Sequence, residues 1–195
     1  ALEVNVMRLE TELFADPAEI EAYYVSIVTA LAGKGLPIIV KLSRYHTLRA
    51  AGAAAVTLFN RSYQINIDLN REQLIGGEVF SHEGDFTETL RFTGVIRGCV
   101  PNVGISASTG IYTWEELTKV LLAGADTAQM CTAVYKQGAT AIAEALKGLR
   151  HWMLEHGYQS LSELRGRLSY GAVADPSLFE RIQFMKYFNA RAAQD

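Results

Sequence analysis

Lys41 closes a nearly continuous apolar run, Pro37-Ile38-Ile39-Val40-Lys41-Leu42. A cation at the end of a buried strand can stabilise negative charge on a bound group. The same residue also reads as a lysine snorkelling out of a sheet end. Asn5 and Asn60 follow two further runs of this kind, LEV and AAVTLF. Amides there can bond a flat polar ligand, or simply cap and turn the chain. Ser108, Thr109 and Gly110, and again Cys131 and Thr132, are small or short side chains that leave backbone N–H groups accessible. That pattern near a helix start suits a phosphate, and it is ordinary turn chemistry as well. Arg8 and Arg61 share the strand-end position, where a guanidinium would grip an anionic substrate. His46, His82, His151 and His156 show no ligand spacing, and Cys99 and Cys131 form neither a zinc pattern nor a disulfide framework. No metal site is expected.

Five strand-like runs must position these residues: 2–6, 38–42, 54–60, 103–107 and 126–131. The first begins at the first residue, which points to sequence upstream of Ala1. Asp16-Pro17 with Glu19 reads as a helix start, and Ile20, Tyr23, Tyr24, Ile27, Val28 and Leu31 form its apolar stripe. Between Leu42 and Ala54 stand only eleven residues. A parallel crossover usually takes a dozen or more, so residues are expected to be missing after Thr47. Residues 61–85 read as a β-hairpin excursion with Gly76-Gly77 as its turn, and 86–97 as a helix.

The stretch from Ile105 to Gly138 carries the densest signals. Thr113 and Glu116 make a capping box, Trp114, Leu117, Val120 and Leu121 fall on one helical face, and Gly124 suits a C-cap. A strand to Cys131 and a loop should follow. A helix over 139–156 stops at Gly157, Ser160 with Glu163 caps a short helix, and Asp175-Pro176 starts the last one. Tyr23, Tyr24, Trp152 and the C-terminal Phe and Met residues read as core or subunit interface. Strand–helix alternation with apolar strands means a parallel sheet covered by helices. Counted alone, five strands suit an open doubly wound sheet, because a barrel needs eight strands and about 250 residues.

The composition narrows the class further. Of 195 residues, 49% are hydrophobic and 20% charged, with a formal net charge of -3. That balance describes a globular chain with no electrostatic footprint for nucleic acid or an acidic membrane surface. No run reaches the roughly 18 to 20 apolar residues of a membrane span, and ALEVNV lacks the features of a signal peptide. A reducing cytoplasm is the expected location.

The order of motifs resembles the C-terminal part of the dihydroorotate dehydrogenase family. The matching pieces are ALEVN (1–5), VKLS (40–43), TLFNRSYQ (57–64), ASTGIYTWEE (107–116) and LLAGADTAQMCTAVYKQG (121–138). HWMLEHGYQSLSELRG (151–166) and ADPSLFERIQFMKYF (174–188) resemble the family's C-terminal extension. The resemblance implies an α/β fold, a (β/α)8 TIM barrel of which this chain supplies strands four to eight. It divides the chain into an FMN-binding barrel part (1–157) and a helical extension (158–195). It further implies an FMN-dependent oxidoreductase of pyrimidine biosynthesis, acting on a small substrate of the dihydroorotate kind, and a homodimer as the expected assembly.

On that resemblance Asn5, Lys41 and Asn60 contact the flavin, with Asn60 also at the substrate. Ser108, Thr109, Gly110, Cys131 and Thr132 hold the FMN phosphate, Cys131 through its backbone N–H unless it is a buried inert thiol. One departure stands out. The family's catalytic base, a cysteine or serine three residues after the first asparagine, is here Arg8, which cannot be deprotonated. The loop LETELFADP also lacks the family's usual residues. A second function class therefore stands beside the enzyme: a flavin- or phosphate-binding barrel that has lost catalysis.

Overall fold

The computed structural model describes residues 1–6, 17–32, 34–41, 53–61, 64–100 and 102–180. All five expected strands form one parallel sheet in the order β1 (Leu2–Asn5), β2 (Ile38–Lys41), β3 (Ala55–Leu58), β6 (Gly104–Ser108) and β7 (Thr127–Gln129). The order follows the chain without reversal. Register is continuous across the sheet, with Asn5 beside Lys41, Lys41 beside Thr57, Thr57 beside Ser106, and Ser106 beside Thr127.

Because side chains alternate between faces, one face carries Ile38, Val40, Val56, Leu58, Ile105 and Ala107. These pack against Tyr24 and Val28 of α1 (Pro17–Leu31), Phe86 and Ile96 of α2 (Phe86–Cys99), and Val120 of α3 (Trp114–Ala123). The helices thus cover the same apolar face, as in a singly wound wall. A doubly wound sheet would divide them between both faces. The sheet does not close on itself, and its other face carries Glu3, Asn5, Lys41, Thr57, Ser106, Ser108, Thr127 and Gln129.

That second face is concave. Four strand spacings separate β1 from β7, roughly 19 Å on a flat sheet at about 4.8 Å per strand. Yet Gln129 Nε2 donates to Glu3 Oε2 at 2.9 Å, which two side chains can span only if the sheet curls.

The remaining elements refine the sequence reading. The hairpin exists as β4 (Ile65–Asp68) and β5 (Gln73–Gly76), but its turn is Leu69–Glu72 and not Gly76-Gly77. Asp68 Oδ1 accepts from the N–H groups of Asn70 (2.9 Å) and Arg71 (3.2 Å), and Glu72 takes φ +50°. The aspartate side chain builds the turn, a device that glycine spacing does not reveal. Beyond β7 the expected loop is a short helix, α4 (Cys131–Gln137). The long helix α5 (Thr140–Glu155) ends before Gly157, which takes φ +76°.

α6 (Leu161–Leu164) departs from its expected cap. Ser160 makes no capping bond and meets Ser162 Oγ at 2.8 Å, while Glu163 accepts from Gln159 N–H at 2.8 Å. Asp175 does cap α7 (Ser177–Glu180), accepting from Ser177 N–H at 3.0 Å. Asp16, Thr47 and the residues past Glu180 lie outside the described residues, as does the β2–β3 connection at 42–52.

The C-terminal segment is fastened to the helical layer. Leu164 is fully buried against Leu117, Leu121 and Leu149. Gly166 N–H donates to Leu121 O, Leu168 N–H to Leu122 O, and Tyr170 N–H to Gly94 O, all within 2.9–3.0 Å. Gly94 and Gly98, one turn apart on α2, make this approach possible. A Cβ on Gly94 would meet the Phe179 ring at 2.2 Å, and one on Gly98 the Gly171 nitrogen at 2.5 Å.

Candidate functional site

The described residues expected at the site lie at or just beyond the C-terminal ends of parallel strands, where ligands bind in α/β sheets. Asn5 and Lys41 end β1 and β2, Asn60 and Arg61 follow β3, and Ser108 ends β6 beside Gln129 of β7. Arg8 lies outside the described residues.

Four strand ends are tied together directly. Asn60 Nδ2 donates to Asn5 Oδ1 at 3.0 Å, across β2 and beside Lys41. Lys41 Nζ lies 3.5 Å from Gln129 Oε1 and 3.8 Å from Glu3 Oε1. Glu3 Oε2 accepts in turn from Thr57 Oγ1 (2.8 Å) and Gln129 Nε2 (2.9 Å). Thr57 is fully buried, so its hydroxyl needs this partner. Glu3, Thr57 and Gln129 escaped the sequence reading. The available signal was alternation: Glu3 stands between Leu2 and Val4, so a charged side chain shares a face with Asn5.

Stagger along the strands gives this cluster its form. Glu3 is in line with Ala55, two residues before Thr57, and Thr57 is in line with Thr127, two residues before Gln129. The three side chains therefore meet in one layer from alternate strands, advancing one residue per strand.

The two small-residue loops follow adjacent strands, β6 and β7, and most of their hydroxyls serve the scaffold. Thr109 takes φ +87°, and its Oγ1 donates to Phe59 O at 3.1 Å. Ser108 O accepts from Phe59 N–H (3.1 Å) and from the buried Thr89 hydroxyl (2.8 Å). Gly110 takes φ +77°, and a Cβ there would stand 2.5 Å from Phe86 N, so only glycine fits. Thr132 Oγ1 accepts from Ser81 Oγ at 3.0 Å, and Ser81 also bonds Tyr112 OH at 3.0 Å. Cys131 is exposed, at the start of α4, which corrects the alternative of a buried thiol. With Gln129, Met130, Val134 and Tyr135 it lines an open hollow beyond β7.

Arg61 turns towards the hairpin. Its Nη1 donates to Glu78 O at 2.8 Å, and its Nε lies 3.4 Å from Asp85 Oδ2. The arginine thus fastens the returning leg of the excursion to the start of α2. Its Nη2 is buried without a hydrogen-bond partner among the described residues. A wider groove opens between Tyr112–Glu115 and α5.

At the opposite edge, Asp126 anchors the start of β7. Arg97 Nη2 (2.5 Å) and Ile105 N–H (2.8 Å) bond its Oδ2, and Arg165 Nη1 bonds its Oδ1 at 2.9 Å. Among the described residues no group of three or more His, Cys, Asp or Glu could hold a metal ion. Nor is any described helix long and apolar enough to cross a membrane.

Fold and site together define an α/β protein with a polar ligand-type site at the carboxyl ends of its parallel strands. No protein-family model matches the chain. Curated proteins do. The catalytic subunit of dihydroorotate dehydrogenase B (NAD(+)) from Pyrococcus abyssi is 31% identical over 121 residues, 60% of this chain and 40% of its own length. The corresponding subunit from Pyrococcus furiosus is 39% identical over 67 residues, 34% of this chain and 21% of its own. The NAD-dependent dihydropyrimidine dehydrogenase subunit PreA of Escherichia coli (strain K12) is 30% identical over 128 residues, 60% of this chain and 31% of its own. These matches support the dihydroorotate dehydrogenase-like family for this chain, through a partial, C-terminal region. The chain spans about 40% of the length of the first of these relatives.

Proposed function

We propose that the chain is the C-terminal part of a (β/α)8 barrel that binds FMN and acts as an oxidoreductase resembling dihydroorotate dehydrogenase. The observation that carries the barrel is the Glu3–Thr57–Gln129 layer. Interior layers built from alternate strands, with one residue of stagger per strand, belong to an eight-stranded barrel of shear eight. Helices on one face and an unreversed strand order agree with it.

The donor set fits FMN. A flavin ring edge offers alternating donors and acceptors, which paired carboxamides such as Asn5 and Asn60 can match from either end. Lys41 supplies a positive charge beside them. For the phosphate, the donors on offer are the backbone N–H groups of Thr109, Gly110, Cys131 and Thr132, in loops whose shape Gly110 fixes. When bound, the flavin would supply the two-electron acceptor for a substrate hydride. Lys41 would hold its charge against the ring edge that becomes negative, and Asn60 would orient a small substrate over it. On this reading the helical extension begins at residue 158, and the protein works in the cytoplasm.

The test is direct. Purified full-length protein should show a flavin absorbance spectrum, and Lys41→Met should weaken FMN binding at least tenfold while leaving the far-UV spectrum unchanged. A protein that takes up no FMN sinks the proposal.

One observation favours a second reading, a flavin-binding barrel without catalysis: Arg8 stands where the family has its base. Bound flavin that dihydroorotate never bleaches would favour that reading or a different substrate. The Arg8→Ala variant tests whether Arg8 grips an anionic substrate. Normal substrate binding and turnover would show that Arg8 does not grip the substrate.

A further inference from the structure

We infer that Glu3 is a positioning residue for Lys41, fixing the ammonium at the strand ends and offsetting its charge. The inference rests on the flavin reading of the site only for its redox consequence. Lysine carries its charge on a flexible four-carbon stem, so a defined position requires partners. Here the partners, Glu3 and Gln129, come from two other strands, and Thr57 of a third strand supports Glu3. Thr57 Oγ1 and Gln129 Nε2 both donate to Glu3 Oε2, which leaves Oε1 turned to Lys41 Nζ at 3.8 Å. With its amide nitrogen committed to Glu3, Gln129 presents Oε1 to the same ammonium at 3.5 Å. The hub therefore sets both acceptors that face Lys41.

Thr57 is fully buried, while the side chains of Glu3 and Lys41 are 35% and 21% exposed. The carboxylate is thus held from below by a rigid hydroxyl and open above to the lysine. An ordinary interior residue would need only to fill the layer. A carboxylate in this place also subtracts from the positive potential that Lys41 offers to any group above it.

Charge and packing separate in two variants of the full-length protein. Glu3→Gln keeps the size and one acceptor oxygen but removes the charge, whereas Thr57→Val keeps the charge and removes one hydrogen bond. With FMN bound, Glu3→Gln should raise the two-electron midpoint potential by about 30 mV, a tenfold shift towards reduced flavin. Thr57→Val should shift it less than threefold. An unchanged potential in Glu3→Gln, or equal shifts in both variants, would overturn the inference.

A second readout needs no flavin. In cofactor-free protein the two Lys41 Hε protons should have distinct resonances, as in an immobilised ammonium arm. In Glu3→Gln they should merge. Merged resonances in the wild type, or separate ones in the variant, would equally overturn it. If FMN does not bind at all, the flavin reading falls while this measurement still decides the role of Glu3.

Discussion

Single residues at the two ends of this sheet do different work. At the carboxyl edge, Asn5, Lys41 and Asn60 present donors to the exterior. At the amino edge, Asp126 collects Arg97, Arg165 and the Ile105 N–H, and so joins β6, β7, α2 and the C-terminal segment at one carboxylate. Charge-assisted hydrogen bonds are worth about 1.5–3 kcal/mol each, but these side chains are about a third exposed and solvent screens them. Asp126→Ala should therefore destabilise the protein by about 2 kcal/mol in chemical denaturation. A loss below about 0.5 kcal/mol would show that the network is only decorative. The strand-end positions of Asn5, Lys41 and Asn60 were legible in the sequence because each closes or follows an apolar run, while their ligand roles came only from the family resemblance. Asp126 and Glu3 were not, because their partners lie on elements far away in the chain. Only the curvature of the sheet brings Gln129 to Glu3.

Among the elements, α3 is the most fully specified by local sequence. The expected box forms: Thr113 Oγ1 accepts from Glu115 N–H at 3.3 Å, and Glu116 Oε2 accepts from Thr113 N–H at 2.9 Å. Burial pushes the Glu116 carboxyl up. The bonds from the Thr113 side chain and from the N–H groups of Thr113, Glu116 and Tyr112 outweigh that and leave it below its ordinary value of 4.5. A carboxyl depressed in the folded state stabilises above its unfolded value and loses that contribution as pH falls through the folded one. Unfolding free energy should thus drop as pH is lowered from about 5 through the region below 4.5, and Glu116→Gln should flatten that part of the profile. Thr113→Ala should cost about 1 kcal/mol at neutral pH. An identical pH profile in wild type and Glu116→Gln would contradict the assignment. The hairpin shows the converse case. Gly76-Gly77 drew the expected turn to the wrong place because Asp68 can build one from its side chain, and α4 replaced an expected loop where small residues gave no helical stripe.

At the scale of the whole molecule, the sheet has one apolar face sealed by helices and one concave polar face carrying the site residues. Strand count alone favoured an open doubly wound sheet, since five strands say nothing about which face each helix takes. The side the helices take and the one-residue stagger appear only in three dimensions, and the proposed barrel rests on them. If that wall cradles FMN as proposed, ligand binding must appear as stability, because a ligand that binds only the folded state stabilises it by mass action. At a hundredfold excess over Kd the gain is about 2.7 kcal/mol. For a folded unit of about 150–250 residues that corresponds to a rise in Tm of roughly 5–10 °C. Riboflavin, which has the same ring and no phosphate, divides the site into its two halves. If the loops at Ser108–Gly110 and Cys131–Thr132 hold the phosphate, riboflavin at equal concentration should stabilise far less than FMN. Equal stabilisation by both would leave the ring contacts at Asn5, Lys41 and Asn60 and remove the phosphate role from those loops. No shift with either ligand would remove the flavin from this face altogether.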